Sequence, residues 1–192
     1  MSSAPTDTTL GILAGGRATR LGGLDKAWMQ RDGLPQVQRL VRRFGPKAGA
    51  VLISANRNLP RYAEAGLHAV PDRHMDIGPL GGLDALAHAC VTPWLLTLPV
   101  DIVDANDCLA DTLAAAGGQG AFVEDDAGTQ PLVALWRVDA LRAALPQAIA
   151  VRDYAVQGLQ ARLGMQRVRL HGVRMGNLNT PADLHAAGIA TP

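Results

Sequence analysis

A chain of 192 residues, 48% hydrophobic and 18% charged, fits one globular domain with a sizeable core and excludes a disordered chain. Aromatic residues make up 4%, so the core must rest on Leu, Val, Ile and Ala. The formal charge of +1 leaves no general field to attract nucleic acid or an anionic membrane, so any anion site must be local. Cys90 and Cys108 form no CxxC or metal-ligand spacing, which fits a reducing cytoplasm, and no export signal or long apolar segment is evident.

In chain order, residues 1–8 read as a flexible tail and 9–192 as one domain. Leu10 to Ala14 reads as a first buried strand. Gln36 to Phe44 carries Val37, Leu40, Val41 and Phe44 at helical spacing with arginines between them, an amphipathic helix. "AVLIS" (Ala50 to Ser54), "LHAV" (Leu67 to Val70) and "WLLTLPV" (Trp94 to Val100) read as further strands. "LGGLDALAHAC" reads as a helix after the turn at Ile77 to Pro79. A helix is expected over Ala105 to Ala116. "GAFVED" and "PLVALWRV" then read as an antiparallel pair at one side of the sheet, joined through "DDAGT". Helices follow at about Asp139 to Leu145 and Tyr154 to Leu163, then a strand near Arg167 to Leu170 and a last helix after Pro181. Strands alternating with helices predict an α/β fold: a single three-layer, Rossmann-like domain with a mostly parallel sheet, an antiparallel element and helices on both faces.

The stretch "LGILAGGRATRLGGLDKAW" (Leu10 to Trp28) follows the first strand. Gly15, Gly16, Gly22 and Gly23 would let backbone amides form a nest at the carboxyl edge of the sheet, and Arg17, Arg20 and Lys26 add positive charge. Together these suit a polyphosphate; the glycines alone would suit an ordinary mobile loop. Neither GxxxxGK[ST] nor GxGxxG occurs, which removes the main support for kinase-type and hydride-transfer readings. Asp101, just past a central strand, would hold magnesium against substrate phosphates, or else serve as a helix cap, where Asp104 is better placed. Asp72, in "HAVPD", would accept paired guanine N–H groups or ribose hydroxyls, and equally suits a turn aspartate after proline. Ser54 to Asn58 and the pair Asn177 and Asn179 are polar groups that also read as loop polarity. The five histidines show no zinc-like spacing, and Trp28, Trp94 and Trp136 read as core. The residues alone thus lead to a magnesium-dependent nucleotide-binding α/β protein.

"LAGGRATRLGGLDKAW" resembles the LAGGxxxRxGGxDK signature of the nucleotidyltransferases, in particular the molybdenum cofactor guanylyltransferases. The likeness continues through "SANR", "VPD", "GPLGG", "LPVD", "QPLVALW" and "GNLNTPADL", in order. What the resemblance implies is a nucleotide-diphospho-sugar transferase type fold and transfer of GMP from GTP to molybdopterin carrying molybdenum, with Mg2+ as cofactor. By position it implies Leu13, Ala14, Gly15, Gly16 and Gly23 around GTP, Lys26 and Arg20 on the phosphates, Asp72 on GTP and Asp101 as metal ligand. Gly78 and Gly82 would line the site, and Asn177 and Asn179 lie toward the pterin. Ser54 stands where the family commonly has asparagine. A cytoplasmic monomer is expected, with proteins that mature molybdoenzymes as further partners. A cytidylyl- or sugar-phosphate nucleotidyltransferase of the same fold, and a non-catalytic GTP-binding module, are the competing readings.

Overall fold

The computed structural model describes residues 7–15 and 25–189. In chain order the strands are β1 (Thr8–Leu13), β2 (Gln30–Arg31), β3 (Leu34–Pro35), β4 (Ala50–Ser54), β5 (Ala69–Val70), β6 (Trp94–Pro99), β7 (Gly120–Asp125), β8 (Gly128–Arg137) and β9 (Gln166–Arg169). The helices are α1 (Gln36–Phe44), α2 (Leu59–Glu64), α3 (Pro79–Ala89), α4 (Leu109–Ala114), α5 (Val138–Ala150), α6 (Val156–Arg162) and α7 (Pro181–Ala186). Of the segment 1–8 expected as a tail, residues 1–6 lie outside the described residues, and Thr8 opens β1.

Seven strands form one sheet in the order β5-β4-β1-β6-β8-β7-β9, and β2 pairs with β3 in a separate hairpin. β4 and β6 both pair parallel with β1, β5 pairs parallel with β4, and β8 is antiparallel to both β6 and β7. From β1 the chain moves out to β4 and β5, then crosses back to β6 on the other side of β1. The strand order therefore reverses at the carboxyl ends of β1 and β6, where open α/β sheets form a crevice.

Side-chain alternation on the central strands explains the layers. Leu10 and Ile12 of β1 join a cluster with Val37, Leu40 and Phe44 of α1 and Leu109 and Leu113 of α4. The opposite face packs Leu95, Ala134 and Trp136 against Leu83 and Leu86 of α3, Leu141 and Leu145 of α5, and Leu159 of α6. Gly11 sits under α3, where a Cβ would stand 2.9 Å from Leu95 Cδ1 and 3.0 Å from Leu86 Cδ1, so a larger residue would force these side chains to shift. Trp28 and Trp136 are buried, and Trp94 packs against the core.

Several expectations are corrected. The antiparallel pair lies at one side of the sheet, as expected, with β8 next to β6, but β9 pairs parallel to β7 outside it. The helix expected over Ala105 to Ala116 spans only Leu109–Ala114, because Asn106 Oδ1 accepts the Cys108 N–H at 2.8 Å and turns the chain before it. Neither Asp101 nor Asp104 caps that helix. α5 passes through Pro146 rather than ending at Leu145, and its Arg142 donates to the Ala87, His88 and Cys90 carbonyls at the end of α3. The β2–β3 hairpin and α2 were not expected. The hairpin turns on Asp32 and Gly33, both at positive φ, a pattern that Asp-Gly favours. Among the described residues, no helix is long and apolar enough to cross a membrane.

Candidate functional site

The strand reversal opens into a cleft of about 910 Å³. β1 delivers Leu13, Ala14 and Gly15 to it, β4 is followed by Asn56 and Arg57, and β5 is followed by Asp72. The start of α3 gives Gly78 and Gly82, β6 ends in Pro99, Val100 and Asp101, and Leu132 enters from β8. Ser54 and Lys26 also line it. The expected residues Leu13, Ala14, Gly15, Lys26, Ser54, Asp72, Gly78, Gly82 and Asp101 therefore share one cavity, although they lie far apart along the chain.

Lys26 is placed by the turn that it begins. Asp25 Oδ1 accepts the Ala27 N–H at 3.1 Å, capping a 3-10 turn over Lys26–Trp28. Trp28 is buried behind it, with its ring 4.9 Å from that of Tyr62 and the Arg61 guanidinium 4.2 Å over its face. Burial, and then the negative charge of Asp25, push the Tyr62 phenol well above its ordinary range, so it stays neutral. Asn58 Nδ2 donates to Asp25 Oδ2 at 2.9 Å, tying this turn to the chain after β4. Asp25 thus orients Lys26 from behind, through the backbone.

The ammonium of Lys26 bridges two elements distant in sequence. Nζ donates to Asp101 Oδ2 at 2.9 Å and to Asn179 Oδ1 at 2.7 Å. Both side chains of the ion pair are about four-fifths covered, at 18% and 19% exposure. Asn179 reaches this point because the chain after β6 runs beside residues 175–178. Val103 and Asp104 N–H both donate to the Met175 carbonyl, Leu178 N–H donates to the Asp101 carbonyl, and Ile102 forms a bridge with Asn177. A capping box then fixes Asn179 at the start of α7: Thr180 Oγ1 accepts from Asp183 N–H, and Asp183 Oδ2 accepts from Thr180 and Asn179 N–H. Bonds from Thr180, and then from Asn179, hold the Asp183 carboxyl below its usual range. Neither asparagine lines the cleft itself: Asn179 meets it through its bond to Lys26 Nζ, and Asn177 contributes its backbone to the bridge.

On the other side of the cleft, Asp72 is held at three points. Ser54 Oγ donates to Oδ1 at 3.1 Å, Asn56 Nδ2 donates to Oδ2 at 2.8 Å, and Asn56 Oδ1 accepts the Asp72 N–H at 2.8 Å. Space here is tight. A Cβ on Gly82 would stand 2.5 Å from Ser54 Oγ, and one on Gly15 would stand 3.3 Å from Asn56 Nδ2. Gly78 caps α3 at φ 65°, a conformation suited to glycine. Asn56, one of the polar groups over Ser54 to Asn58 that also read as loop polarity, lines the cleft and holds Asp72; its position two residues past a buried serine is the signal for it.

The first-strand backbone is more occupied than expected. Val100 N–H donates to the Leu13 carbonyl and Ala14 N–H donates to the Ser54 carbonyl, so Gly15 is the first residue past the ladder. Gly16, Arg20 and Gly23, with Arg17 and Gly22, lie outside the described residues. Among the described residues, no three His, Cys, Asp or Glu side chains gather as a metal cage. Three carboxylates line the cleft, Asp72, Asp76 and Asp101, and Asp101 is the one paired with Lys26.

The family model described as MobA-like NTP transferase domain matches residues 10–167. Over 144 residues the chain is 40% identical to a molybdenum cofactor guanylyltransferase of Bordetella pertussis, covering 70% of this chain and 73% of that one. Over 177 residues it is 35% identical to a molybdenum cofactor guanylyltransferase of Serratia proteamaculans, covering 90% and 89%. Its fold is similar to that of molybdopterin-guanine dinucleotide biosynthesis protein A from Archaeoglobus fulgidus, with a TM-score of 0.72, 19% identity, and 94% and 96% coverage. The chain belongs to the MobA-like NTP transferase domain family.

Proposed function

We propose that this protein transfers GMP from GTP to molybdopterin carrying molybdenum, forming the guanine dinucleotide form of that cofactor and releasing pyrophosphate. The observation that carries the reading is Lys26, held between Asp101 and Asn179 at the strand reversal. It puts a cation, a carboxylate and an amide where the nucleotide phosphates would meet the acceptor. The names of the relatives from Bordetella pertussis and Serratia proteamaculans support the choice of guanylyl transfer.

In this reaction an oxygen of the acceptor's terminal phosphate forms a bond to the α-phosphorus of GTP. The bond between that phosphorus and the bridging oxygen to the β-phosphate breaks, and pyrophosphate leaves with the electron pair. No protein nucleophile takes part. Lys26 would leave its partners to offset phosphate charge, with Arg20 and the amides from Gly15, Gly16 and Gly23 assisting, and Asn179 would face the acceptor with Asn177 nearby. Asp72, already oriented by Ser54 and Asn56, would accept nucleoside donors, and Leu13 and Ala14 would pack under the nucleoside. Gly78 and Gly82 would keep that wall clear. Magnesium would be held by Asp101 and would supply charge neutralisation at the reacting phosphate. The catalytic contribution of the chain is positioning and charge. A cytoplasmic monomer of one domain, handing its product to proteins that mature molybdoenzymes, completes the reading.

The test is pyrophosphate release with molybdopterin acceptor and each nucleoside triphosphate, with and without magnesium. GTP with magnesium is expected to give the fastest turnover. Faster turnover with CTP would favour a cytidylyltransferase. GTP binding that survives Asp101→Ala, with no product from the parent protein under any condition, would favour a binding module.

A further inference from the structure

β8 enters the cleft in a different way from the parallel strands. Its pairing with β7 jumps from Phe122↔Ala134 to Val123↔Gln130, so Pro131, Leu132 and Val133 bulge out of that ladder. Proline in a central strand needs such a place, because it has no N–H to donate. Pairing with β6 also stops, at Thr97↔Ala134.

Carbonyls in and beside the bulge are taken by two buried side chains. Thr97 Oγ1 reaches the Leu132 carbonyl at 2.9 Å and the Ala134 carbonyl at 3.3 Å, and it accepts Trp136 Nε1–H at 2.8 Å. Gln160 Nε2, from α6, donates to the Pro131 carbonyl at 2.7 Å. Thr97, Trp136 and Gln160 are all essentially inaccessible to solvent. Gln160 Oε1 has no hydrogen-bond partner among the described residues, a costly arrangement for a buried amide. The one bond this amide does make holds the bulge. Leu132, half-buried, is the β8 residue that lines the cleft.

We propose that the β8 bulge is the acceptor-side wall of the cleft: Leu132 touches the acceptor, and Thr97 and Gln160 are positioning residues that set its place. This rests on the guanylyl-transfer reading. Asp72 and Ser54 stand on the β4–β5 side, and Asp101, just past β6, holds Lys26. An in-line attack requires the acceptor to approach from the side opposite the leaving pyrophosphate. Beyond β6 the cleft continues against β8, so an acceptor with a flat, partly apolar ring system meets Leu132 there.

The experiment measures dissociation constants for GTP and for molybdopterin, and the two KM values, in Leu132→Ala, Gln160→Met, Thr97→Val and Thr97→Ser. Loss of one well-packed apolar contact should weaken molybdopterin by about tenfold in Leu132→Ala, with GTP changed by less than about twofold. Thr97→Val and Gln160→Met should show the same one-sided loss, and Thr97→Ser, which keeps the hydroxyl, should restore the parental value. Leu132→Ala carries the test if the buried variants fail to fold. Equal loss for both ligands, or no loss for the acceptor, overturns the proposal. A parent that binds both ligands but makes no dinucleotide refutes guanylyl transfer, while the split in binding still decides the wall. A parent that does not bind molybdopterin overturns both.

Discussion

The two halves of the sheet reach the cleft by different means. β5, β4, β1 and β6 run parallel, so each releases its chain at the same edge, and the residue just past each strand arrives in the cavity without special arrangement. Gly15, Asp72 and Asp101 get there in that way. β8 runs the opposite way and brings its middle, not its end, to the cavity; Leu132 enters where the strand bulges. The parallel half therefore places polar groups through topology, and the antiparallel half places an apolar group through buried hydrogen bonds. Changes in the parallel half should cost chemistry or nucleotide binding directly. Changes in the other half should act through stability and geometry.

Lys26→Ala probes this contrast most severely. It removes the cation shared by Asp101 and Asn179, and turnover should fall by about 10²-fold or more, the usual scale for one electrostatic contact to a developing phosphate charge. Steady-state kinetics with GTP and molybdopterin measure it, and turnover equal to the parent would remove Lys26 from the mechanism. Gly82→Ala comes next. Its Cβ would stand 2.5 Å from Ser54 Oγ and 2.8 Å from Leu13 Cδ2, so the bond from Ser54 to Asp72 must give way. GTP affinity is expected to drop by about tenfold for that strain. Calorimetric titration reads it, and unaltered affinity would mean that Asp72 does not depend on its present setting.

Much of this arrangement could be read from the chain, and the remainder has physical reasons for being hidden. α1 and β4 match their expected limits, because an apolar stripe at helical spacing and a short β-branched run are signals contained in their own residues. β2 and β3 are two residues each, and α2 is six residues that begin after Asn58 at φ 56°, so none offers a period to detect. The glycine motif marked the cleft, yet the contact between Lys26 and Asn179 joins positions 153 apart, which no local pattern exposes. Asn56 looked like loop polarity until its two bonds to Asp72 were visible. The neighbours of β8 come from pairings between residues far apart in sequence, and the bulge that accommodates Pro131 leaves no mark except the proline itself.

A third change tests the antiparallel half. Asp125, wholly buried at the end of β7, accepts the Met175 and Ala127 N–H groups, both at 2.8 Å, and Gln130 Nε2. Burial alone would raise its carboxyl, but these donors outweigh burial and hold it below the usual carboxylate range. A lowered pKa in the folded state adds stability that is full above the unfolded value near pH 4 and is lost as pH falls through the folded value. Asp125→Asn should therefore lower stability by about 2 kcal/mol at neutral pH, with the gap to the parent closing in acid. Thermal melts from pH 7 down to pH 3 measure this. A gap that stays constant with pH would show that the carboxylate charge is irrelevant and that only shape matters.

The smallest effect is expected at the sheet edge. Glu124, half-buried on β7, accepts from Arg167 and Arg169 of β9, both at 2.8 Å, and Arg169 also meets Asp126 at 3.2 Å, with both arginines and Asp126 exposed. Exposed pairs of this kind gain little, because water screens the charges and two long side chains lose freedom. Arg167→Ala should leave the melting temperature unchanged within error. Its consequence lies elsewhere, since β9 is the outer strand and its open backbone groups can pair with another chain unless charge opposes it. Light scattering at high protein concentration should show increased association for Arg167→Ala combined with Arg169→Ala, with no loss of guanylyl transfer. If that double variant instead loses activity while remaining dispersed, the separation between the two halves of the sheet fails, because a distant edge would then be setting the cleft.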